Sequence, residues 1–297
     1  MTRPTPPAVG DASQAGIPSG GERSGAPATI GPEPPQLPVR AATARAFVAM
    51  CQRDAYATLR RDPWGFLAQS LLAPLFYLFV FGRVLPEIGA AGADYGEQLL
   101  PGILGLTLVL TALQGVALSL VIEFSFTKEI EDRLLAPIPA SLVGVQKLVW
   151  AATRGIIAGV VILPLGELVL PGGLDLAGAS WLAFAVLLVA GGVAGAAIGL
   201  VMGTAVPANK INVVFAVVLT PLIFTGATFY PWQSLDSLRW FQVVTLANPL
   251  TYVSEGMRGA LTDGPHLGTG WIALGLGVSI VVLGAIGVRR FVGRAID

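Results

Sequence analysis

Residues 98–122 read QLLPGILGLTLVLTALQGVALSLVI, and this stretch contains no Asp, Glu, Lys or Arg. The hydrocarbon core of a bilayer is about 30 Å thick, so about 20 consecutive apolar residues suffice for one helical crossing. Four further stretches share this absence of charge: 65–82, 176–209, 211–235 and 264–288. The pattern predicts an all-α polytopic membrane protein, in which function is to be sought where polar residues interrupt the apolar runs.

The composition of the whole chain agrees with a membrane location. Of its 297 residues, 54% are hydrophobic and 12% are charged, and the mean hydropathy is +0.73. Soluble domains carry about 25% charged residues. The 18 basic residues balance the 18 acidic ones, so there is no electrostatic basis for binding nucleic acid. The alternative is a large soluble enzyme with five apolar core helices, but such helices normally carry a polar face.

The N-terminal part of the chain predicts a tail followed by a surface helix. Residues 1–40 are rich in Pro and Gly and contain almost no large apolar side chain, which is typical of disorder. Residues 41–63 predict a cytoplasmic amphipathic interface helix, with Arg53 and Arg60 facing anionic lipid headgroups. The apolar face at helical spacing comprises Ala44, Val48, Cys51, Ala55 and Leu59. An ordinary lead-in to the first span is the open alternative.

The remainder, residues 64–297, predicts a membrane domain with six spans. Five spans follow the charge-free runs, and the sixth is interrupted by Arg154 and Glu167. A helix rises 1.5 Å per residue, so these two lie about 20 Å apart, and each can sit near one end of the span and snorkel to its interface. The predicted spans are 65–84, 98–122, 146–170, 180–206, 211–229 and 268–288.

Basic residues predict the orientation of these spans. Six spans place both termini on the same side of the membrane. From residue 41 onward most basic residues fall on that side, and only Arg83, Arg239 and Arg258 fall on the other. By the positive-inside rule both termini are cytoplasmic, in a multi-pass protein of the bacterial plasma (inner) membrane.

The most polar segment inside the membrane domain is the cytoplasmic connection 123–145. Its charged pairs at four-residue spacing, which favour a short exposed helix, are Lys128/Asp132 and Glu129/Arg133. Pro137 then stops that helix and begins a rigid elbow. A charged helix with an elbow is suited to receiving force from a cytosolic partner, and a solvated loop is the alternative.

A second polar segment precedes the last span, on the outer side. Asn248-Pro249 is typical of a helix start, and Tyr252 suits the aromatic belt of the membrane interface. The apolar stripe of this helix comprises Leu250, Val253, Met257 and Leu261. The sequence predicts two short helices, broken at Asn248, that re-enter the outer leaflet. They either shape a pathway or cap the bundle.

Glycines at four-residue spacing form a ridge along the fourth predicted span. The ridge comprises Gly191, Gly195, Gly199 and Gly203. Small residues let another helix approach closely. We expect that helix to belong to the same subunit rather than to a second one.

Two motifs carry a resemblance to a known family. The stretch Pro231-Trp232, Asn248-Pro-Leu-Thr-Tyr252 and Glu255-Gly-Met-Arg258 resembles the segment before the last span of type-2 ATP-binding-cassette (ABC-2) exporter permeases. Lys128-Glu-Ile-Glu-Asp-Arg-Leu-Leu-Ala-Pro137 resembles the first intracellular loop of that family. The resemblance covers residues 42–297 and is strongest to the daunorubicin-resistance-like efflux permeases.

The resemblance implies a permease subunit that moves a hydrophobic drug, lipid or glycolipid out of the cytoplasm. The sequence contains no G-x-x-x-x-G-K-[ST] loop, so ATP and Mg would be bound and ATP hydrolysed by a partner ABC ATPase. The chain itself would hold no catalytic residue, cofactor or metal. A second copy of the chain or a homologous permease, membrane lipids and the hydrophobic substrate are the other implied partners, and nucleic acid is not one.

The resemblance also implies roles for particular residues. Contacts to the ATPase are expected from Lys128, Glu129, Glu131, Asp132, Arg133 and Pro137. The interface helix contributes Arg53 and Arg60. The outer re-entrant segment contributes Asn248, Pro249, Tyr252, Glu255 and Arg258.

Three other functions remain as alternatives. An ion-coupled secondary transporter needs ionisable groups near mid-membrane, and Arg154 and Glu167 are the candidates. A non-transporting assembly protein would need no ATPase gene beside its own. A membrane enzyme is the weakest, because His266 is the single His and no nucleophile or metal-ligand cluster is visible.

Overall fold

The computed structural model describes residues 39–60, 62–92, 94–127, 139–170 and 176–296, and every regular element among them is helical. The predicted tail at 1–40 falls outside this part except for its last two residues. The helices are α1 Val39–Leu59, α2 Pro63–Phe79, α3 Tyr95–Ile122, α4 Ala140–Val169, α5 Trp181–Ala205, α6 Ile211–Thr225, α7 Arg239–Thr245, α8 Pro249–Leu261 and α9 Thr269–Ile296. Val80–Val84 and Glu123–Thr127 continue α2 and α3 as π-helical turns.

Five helices in the described residues are long and apolar enough to cross a membrane. They occupy Pro63–Glu87, Tyr95–Ser125, Ala140–Val169, Trp181–Ala205 and Thr269–Ala295. The predicted fifth span, 211–229, corresponds to α6, which has 15 residues and rises only about 22 Å. It ends at Thr225 because the chain turns at Gly226 and Ala227. Six crossings therefore stay a prediction, whereas the all-helical class and five apolar helices are confirmed.

Helix α3 is the centre of the bundle. In its most apolar 18-residue segment 67% of the residues are buried, whereas the corresponding segment of α9 is only 17% buried. The glycine ridge of α5 packs against it: a Cβ at Gly195 would lie 2.6 Å from the Val109 carbonyl oxygen, and one at Gly203 3.0 Å from Ala117 Cα. The ridge thus serves packing within the subunit, as the sequence favoured.

The two ends of the bundle are built from different helices and turns. The α1 end contains α1, the π-helical turn after α3, the start of α4 and the end of α9, joined by side-chain contacts described below. The α8 end contains α7, α8, the start of α3 and the turn after α6, joined through Arg258 and Tyr95. Each end gathers one of the two polar segments identified in the sequence.

The apolar face predicted for α1 is only partly in contact with the rest of the protein. Ala44 and Val48 are exposed, with Val48 51% accessible, while Cys51 and Ala55 are half-buried as expected. The inward face is rotated because it carries Asp54, which reaches partners on α4. Whether α1 lies on a lipid surface stays a prediction.

The helix that carries Arg154 begins earlier than the predicted span. Helix α4 begins at Ala140 and not at 146, so Arg154 lies about 21 Å along a helix about 45 Å long. Glu167, by contrast, lies exposed beside the end of α4 at Val169, as predicted. Lys147 lies two turns inside α4 and is buried and paired within the bundle.

Candidate functional site

The α1-end cluster consists of Asp54 on α1, Glu123 after α3 and Lys147 on α4. The Lys147 ammonium forms an ion pair with Glu123 Oε1 and lies 3.7 Å from Asp54 Oδ2. The ammonium is nearly inaccessible to solvent, and both carboxylates are largely buried. Each acid comes from a different helix, so this one cation ties three elements together.

Neighbouring polar groups complete the cluster. Gln146 Nε2 donates to Asp54 Oδ2 at 3.0 Å, so two consecutive residues of α4 hold the same carboxylate of α1. Ser119 Oγ donates to Glu123 Oε1 at 2.7 Å and accepts from Lys147 Nζ at 3.2 Å. Buried charges persist only when they are paired and hydrogen-bonded, and these residues meet that requirement.

The C-terminal helix joins the same end of the bundle. Arg294 on α9 donates to the carbonyl oxygens of Thr204 at 3.0 Å and Gly203 at 3.2 Å, which are the free carbonyls at the end of α5. Its guanidinium also lies 4.7 Å from the centroid of Phe124, whose ring packs against Phe291. The π-helical turn after α3 is therefore held between α4 and α9.

The two predicted residues of the interface helix are both exposed. Arg53 is exposed at the rim of a cavity beside Asp54, and Arg60 is exposed with its guanidinium 5.7 Å from the Tyr56 ring centroid. Cys51 is half-buried against α4, and burial raises the pKa of its thiol above the ordinary value. The Gln146 hydrogen bond opposes that shift and the Asp54 charge adds to it.

The predicted ATPase-contact residues fall outside the described part of the chain. They are Lys128, Glu129, Glu131, Asp132, Arg133 and Pro137. What the structure does place is the two flanks of this loop: Glu123 lies just before it and Lys147 just after it. These flanks are paired with each other and with α1.

The α8-end hub is a second buried ion pair, between Glu255 and Arg258. Both side chains are almost completely buried, and Arg258 Nη1 donates to Glu255 Oε1. Glu255 also accepts backbone N–H groups from Trp232 at 2.9 Å and Leu267 at 2.7 Å. The carboxylate therefore fixes the connections on both sides of α7 and α8.

Arg258 uses its remaining donors on backbone carbonyls. Its Nη2 donates to Ala227 at 3.2 Å and its Nε to Gln98 at 3.4 Å, so the side chain links α8 to the turn after α6 and to α3. Ala227 has φ 49°, in the left-handed region that non-glycine residues seldom adopt. The Arg258 bond helps to hold this strained turn in place.

Asn248, Pro249 and Tyr252 shape the start of α8. The Asn248 amide oxygen accepts from Leu250 N at 2.9 Å, and Pro249 occupies the first turn, as the sequence predicted. The Asn248 amide nitrogen donates to Leu222 O and Thr225 Oγ1 on α6. Tyr252 Oη donates to Leu246 O at 2.6 Å, and the apolar stripe of α8 is buried. Re-entry of α7 and α8 into a leaflet stays a prediction.

A polar cleft runs along the outside of the bundle between α2, α3 and α4. Its volume is about 330 Å³. The polar residues that line it are Gln69, Ser70, Thr107, Thr111, Gln114, Ser119 and Arg154. A second cavity of about 390 Å³ adjoins it at the α1 end, and the two share Gly115, Ser119 and Arg154. A polar passage therefore leads from the α1-end cluster toward the middle of α3.

A comparison with known protein families decides between the classes of membrane protein considered above. The family model described as "ABC-2 type transporter" matches residues 45–262, which include the α1-end cluster, the polar cleft and the α8-end hub. The chain belongs to the ABC-2 type transporter family. Permeases of this family are transport components rather than enzymes, and they normally work with an ABC ATPase subunit.

Individual relatives support the same assignment. The chain is 27% identical over 197 residues to the inner membrane transport permease YadH of Escherichia coli strain K12. The match spans 64% of this chain and 74% of the relative, and the same values hold for the YadH proteins of Escherichia coli O157:H7 and Shigella flexneri. Like these inner membrane permeases, this ABC-2 protein has several apolar helices of membrane-spanning length.

Sequence reasoning missed the residues at the α1 end of this ABC-2 permease. Asp54, Glu123 and Lys147 are far apart in the chain, and nothing local to any of them indicates a common partner. One signal was available: Gln146-Lys147 interrupts an apolar stretch that continues on both sides. Buried polar residues in such a position usually have partners on other helices.

Proposed function

We propose that this chain is the membrane-spanning permease subunit of an ABC exporter. It moves a hydrophobic drug, lipid or glycolipid out of the cytoplasm, and a separate ABC ATPase hydrolyses the ATP. Two permeases, either two copies of this chain or this chain with a homologue, work with two ATPases. The family membership and the identity to inner membrane permeases support this assignment.

The observation that carries the proposal is the α1-end cluster. A force applied to the loop at 128–138 reaches its two flanks, which meet at the Glu123–Lys147 pair. The same ammonium lies beside Asp54, so α1 moves with them. Helix α3 ends and helix α4 begins near this pair. A displacement there would therefore tilt both apolar helices together.

The orientation follows from this assignment. The α1 end faces the cytoplasm, with both termini on that side, in accordance with the distribution of Lys and Arg. Helix α6 then crosses as the fifth of six spans, with the turn Ala208–Lys210 on the cytoplasmic side. Binding of ATP by the partner shifts the population of the permease pair from inward-open to outward-open.

The observed position of Arg154 bears on the rival function of ion coupling. Arg154 lies near the middle of α4, where a transporter driven by protons would need a titratable group. A guanidinium keeps its proton in proteins, so Arg154 cannot carry protons by gaining and losing one. The residue therefore favours binding of an anion over proton coupling.

The test is reconstitution with the ABC ATPase encoded beside this chain. We expect the purified chain alone to hydrolyse no ATP. We expect the complex in proteoliposomes to transport daunorubicin or NBD-labelled phosphatidylglycerol only with ATP and Mg, with or without a protonophore. Transport by the chain alone that collapses on adding a protonophore would contradict the proposal.

A further inference from the structure

Arg154 is a cation without an acidic partner inside an apolar helix. Among the described residues it makes no ion pair and its buried Nε has no hydrogen-bond acceptor. Its guanidinium packs against the Phe66 ring, 5.0 Å from the centroid. An isolated charge in the hydrocarbon region is costly, and such residues are as a rule functional.

The space around Arg154 fits an anion. Of the described residues that line the polar cleft, Arg154 is the one that is charged, and none is acidic. Gly115 on α3 leaves room beside the guanidinium: a Cβ at Gly115 would lie 3.5 Å from Arg154 Nη1. Arginine presents a planar fork of donors that matches phosphate or carboxylate oxygens.

The α1-end cluster explains why Arg154, and not Lys147, is the cation left for a ligand. The Lys147 charge is already balanced by Glu123 and Asp54. Those two acids line the adjoining cavity together with Arg53 and Lys147, whereas Arg154 borders both that cavity and the polar cleft.

The rest of the cleft suits a hydrocarbon chain. Beyond the polar residues its walls include Leu110, Leu118 and Ile122 of α3, and Ile122 is exposed. A cleft of about 330 Å³ is near the lower end of the range for small-molecule sites. It can hold a headgroup and the first part of a tail while the remainder lies along the apolar outer surface of the bundle.

We propose that the cleft binds the anionic headgroup, phosphate or carboxylate, of an amphiphile, with Arg154 as its principal contact. Gln69 and Gln114 border the same space and are placed to donate further hydrogen bonds. This inference rests on the proposed permease function and narrows its cargo from any hydrophobic compound to an anionic amphiphile taken from the α1-end leaflet.

The test is a calorimetric titration of the full-length chain in dodecyl maltoside. Three probes test the headgroup charge and the alkyl tail separately: dodecyl phosphate, zwitterionic dodecylphosphocholine and inorganic phosphate. We expect dodecyl phosphate to bind at least tenfold more tightly than the other two. Equal binding of dodecylphosphocholine would overturn the charge selection, and equal binding of inorganic phosphate would overturn the role of the tail.

Variants assign the binding to Arg154. We expect Arg154→Gln to weaken dodecyl phosphate binding at least tenfold, Arg154→Lys to restore most of it, and Arg239→Gln, an exposed change at the α8 end, to leave it unaltered. Should Arg154→Gln fail to fold, Gly115→Leu blocks the space and keeps the cation, with the same expected loss.

Unaltered affinity in Arg154→Gln, or in Gly115→Leu where that variant is used, would overturn the proposal. This binding is measured without the ATPase. If the variants bind dodecyl phosphate unchanged while ATP-driven export is intact, the anionic cargo is ruled out and the permease function stands.

Discussion

At the scale of single residues, two buried ion pairs do different work. Glu255 and Arg258 bond mainly to backbone groups of four segments, an arrangement that fixes one conformation of the α8 end. Lys147 instead bonds to side chains of two other helices, α1 and α3 with its π-helical continuation. The α8-end hub therefore holds the backbone of its neighbours, whereas the α1-end cluster joins helices through side chains alone.

The first residue-scale prediction concerns the α8-end hub. Arg258→Ala leaves Glu255 buried without its counter-charge, so it should destabilise the protein by about 3–5 kcal/mol. The double variant Arg258→Ala/Glu255→Ala should lose less than the sum of the two single variants. Thermal unfolding in dodecyl maltoside measures both, and strictly additive losses would contradict the pairing.

The second residue-scale prediction uses the single cysteine as a reporter. Burial raises the pKa of the Cys51 thiol, so at neutral pH its reactive thiolate is scarcer than in a free thiol, and the alkylation rate should keep rising as pH approaches the raised pKa. Lys147→Ala should free α1, restore the ordinary pKa and increase the rate of reaction with N-ethylmaleimide severalfold at pH 7. Arg60→Ala, an exposed change just after the end of α1, is the matched control. Equal rates in all three proteins would show that Lys147 does not hold α1.

At the scale of helices, close packing explains the glycine ridge of α5. The ridge lets the backbone of α5 approach the carbonyl groups of α3, so even one methyl group has no room there. Helix α9 has glycines of a second kind, such as Gly284, where an added Cβ meets nothing within 4 Å.

The element-scale prediction compares one glycine of each kind. Gly195→Ala should lower stability by about 1–3 kcal/mol through overpacking against Val109. Gly284→Ala should be neutral or slightly stabilising, because alanine is the better helix former. Unfolding temperatures of the two variants in the same detergent should move apart, and equal shifts would contradict the packing account.

How far the sequence predicted these elements depended on the range of the interactions. Charge-free runs were sufficient for four of the five apolar helices of spanning length, and the local Asn248-Pro249 cap was sufficient for the start of α8, because these signals are local in the chain. The inward position of Asp54 on α1 was not predicted, because it depends on the pairing of Asp54 with Lys147 on α4. That pairing joins residues far apart in the chain, and local periodicity carries no information about it.

At the scale of the whole molecule, this ABC-2 permease has two ends joined by α3, α4 and α5. The α8 end is held by backbone-directed hydrogen bonds, and the α1 end gathers both flanks of the loop at 128–138 with α1. The polar cleft begins beside the α1 end and contains Arg154. Movement at the α1 end would therefore alter the cleft first.

The central claim, that the ATPase drives the permease through this loop, is tested most directly by charge reversal. The measurement is ATP-dependent export by the reconstituted complex carrying Glu129→Lys with Asp132→Lys, beside a control with Glu87→Lys and Glu97→Lys, which are exposed at the opposite end. We expect the loop variant to reach the membrane normally and to lose export, while the control keeps it. Undiminished export in the loop variant would contradict the account.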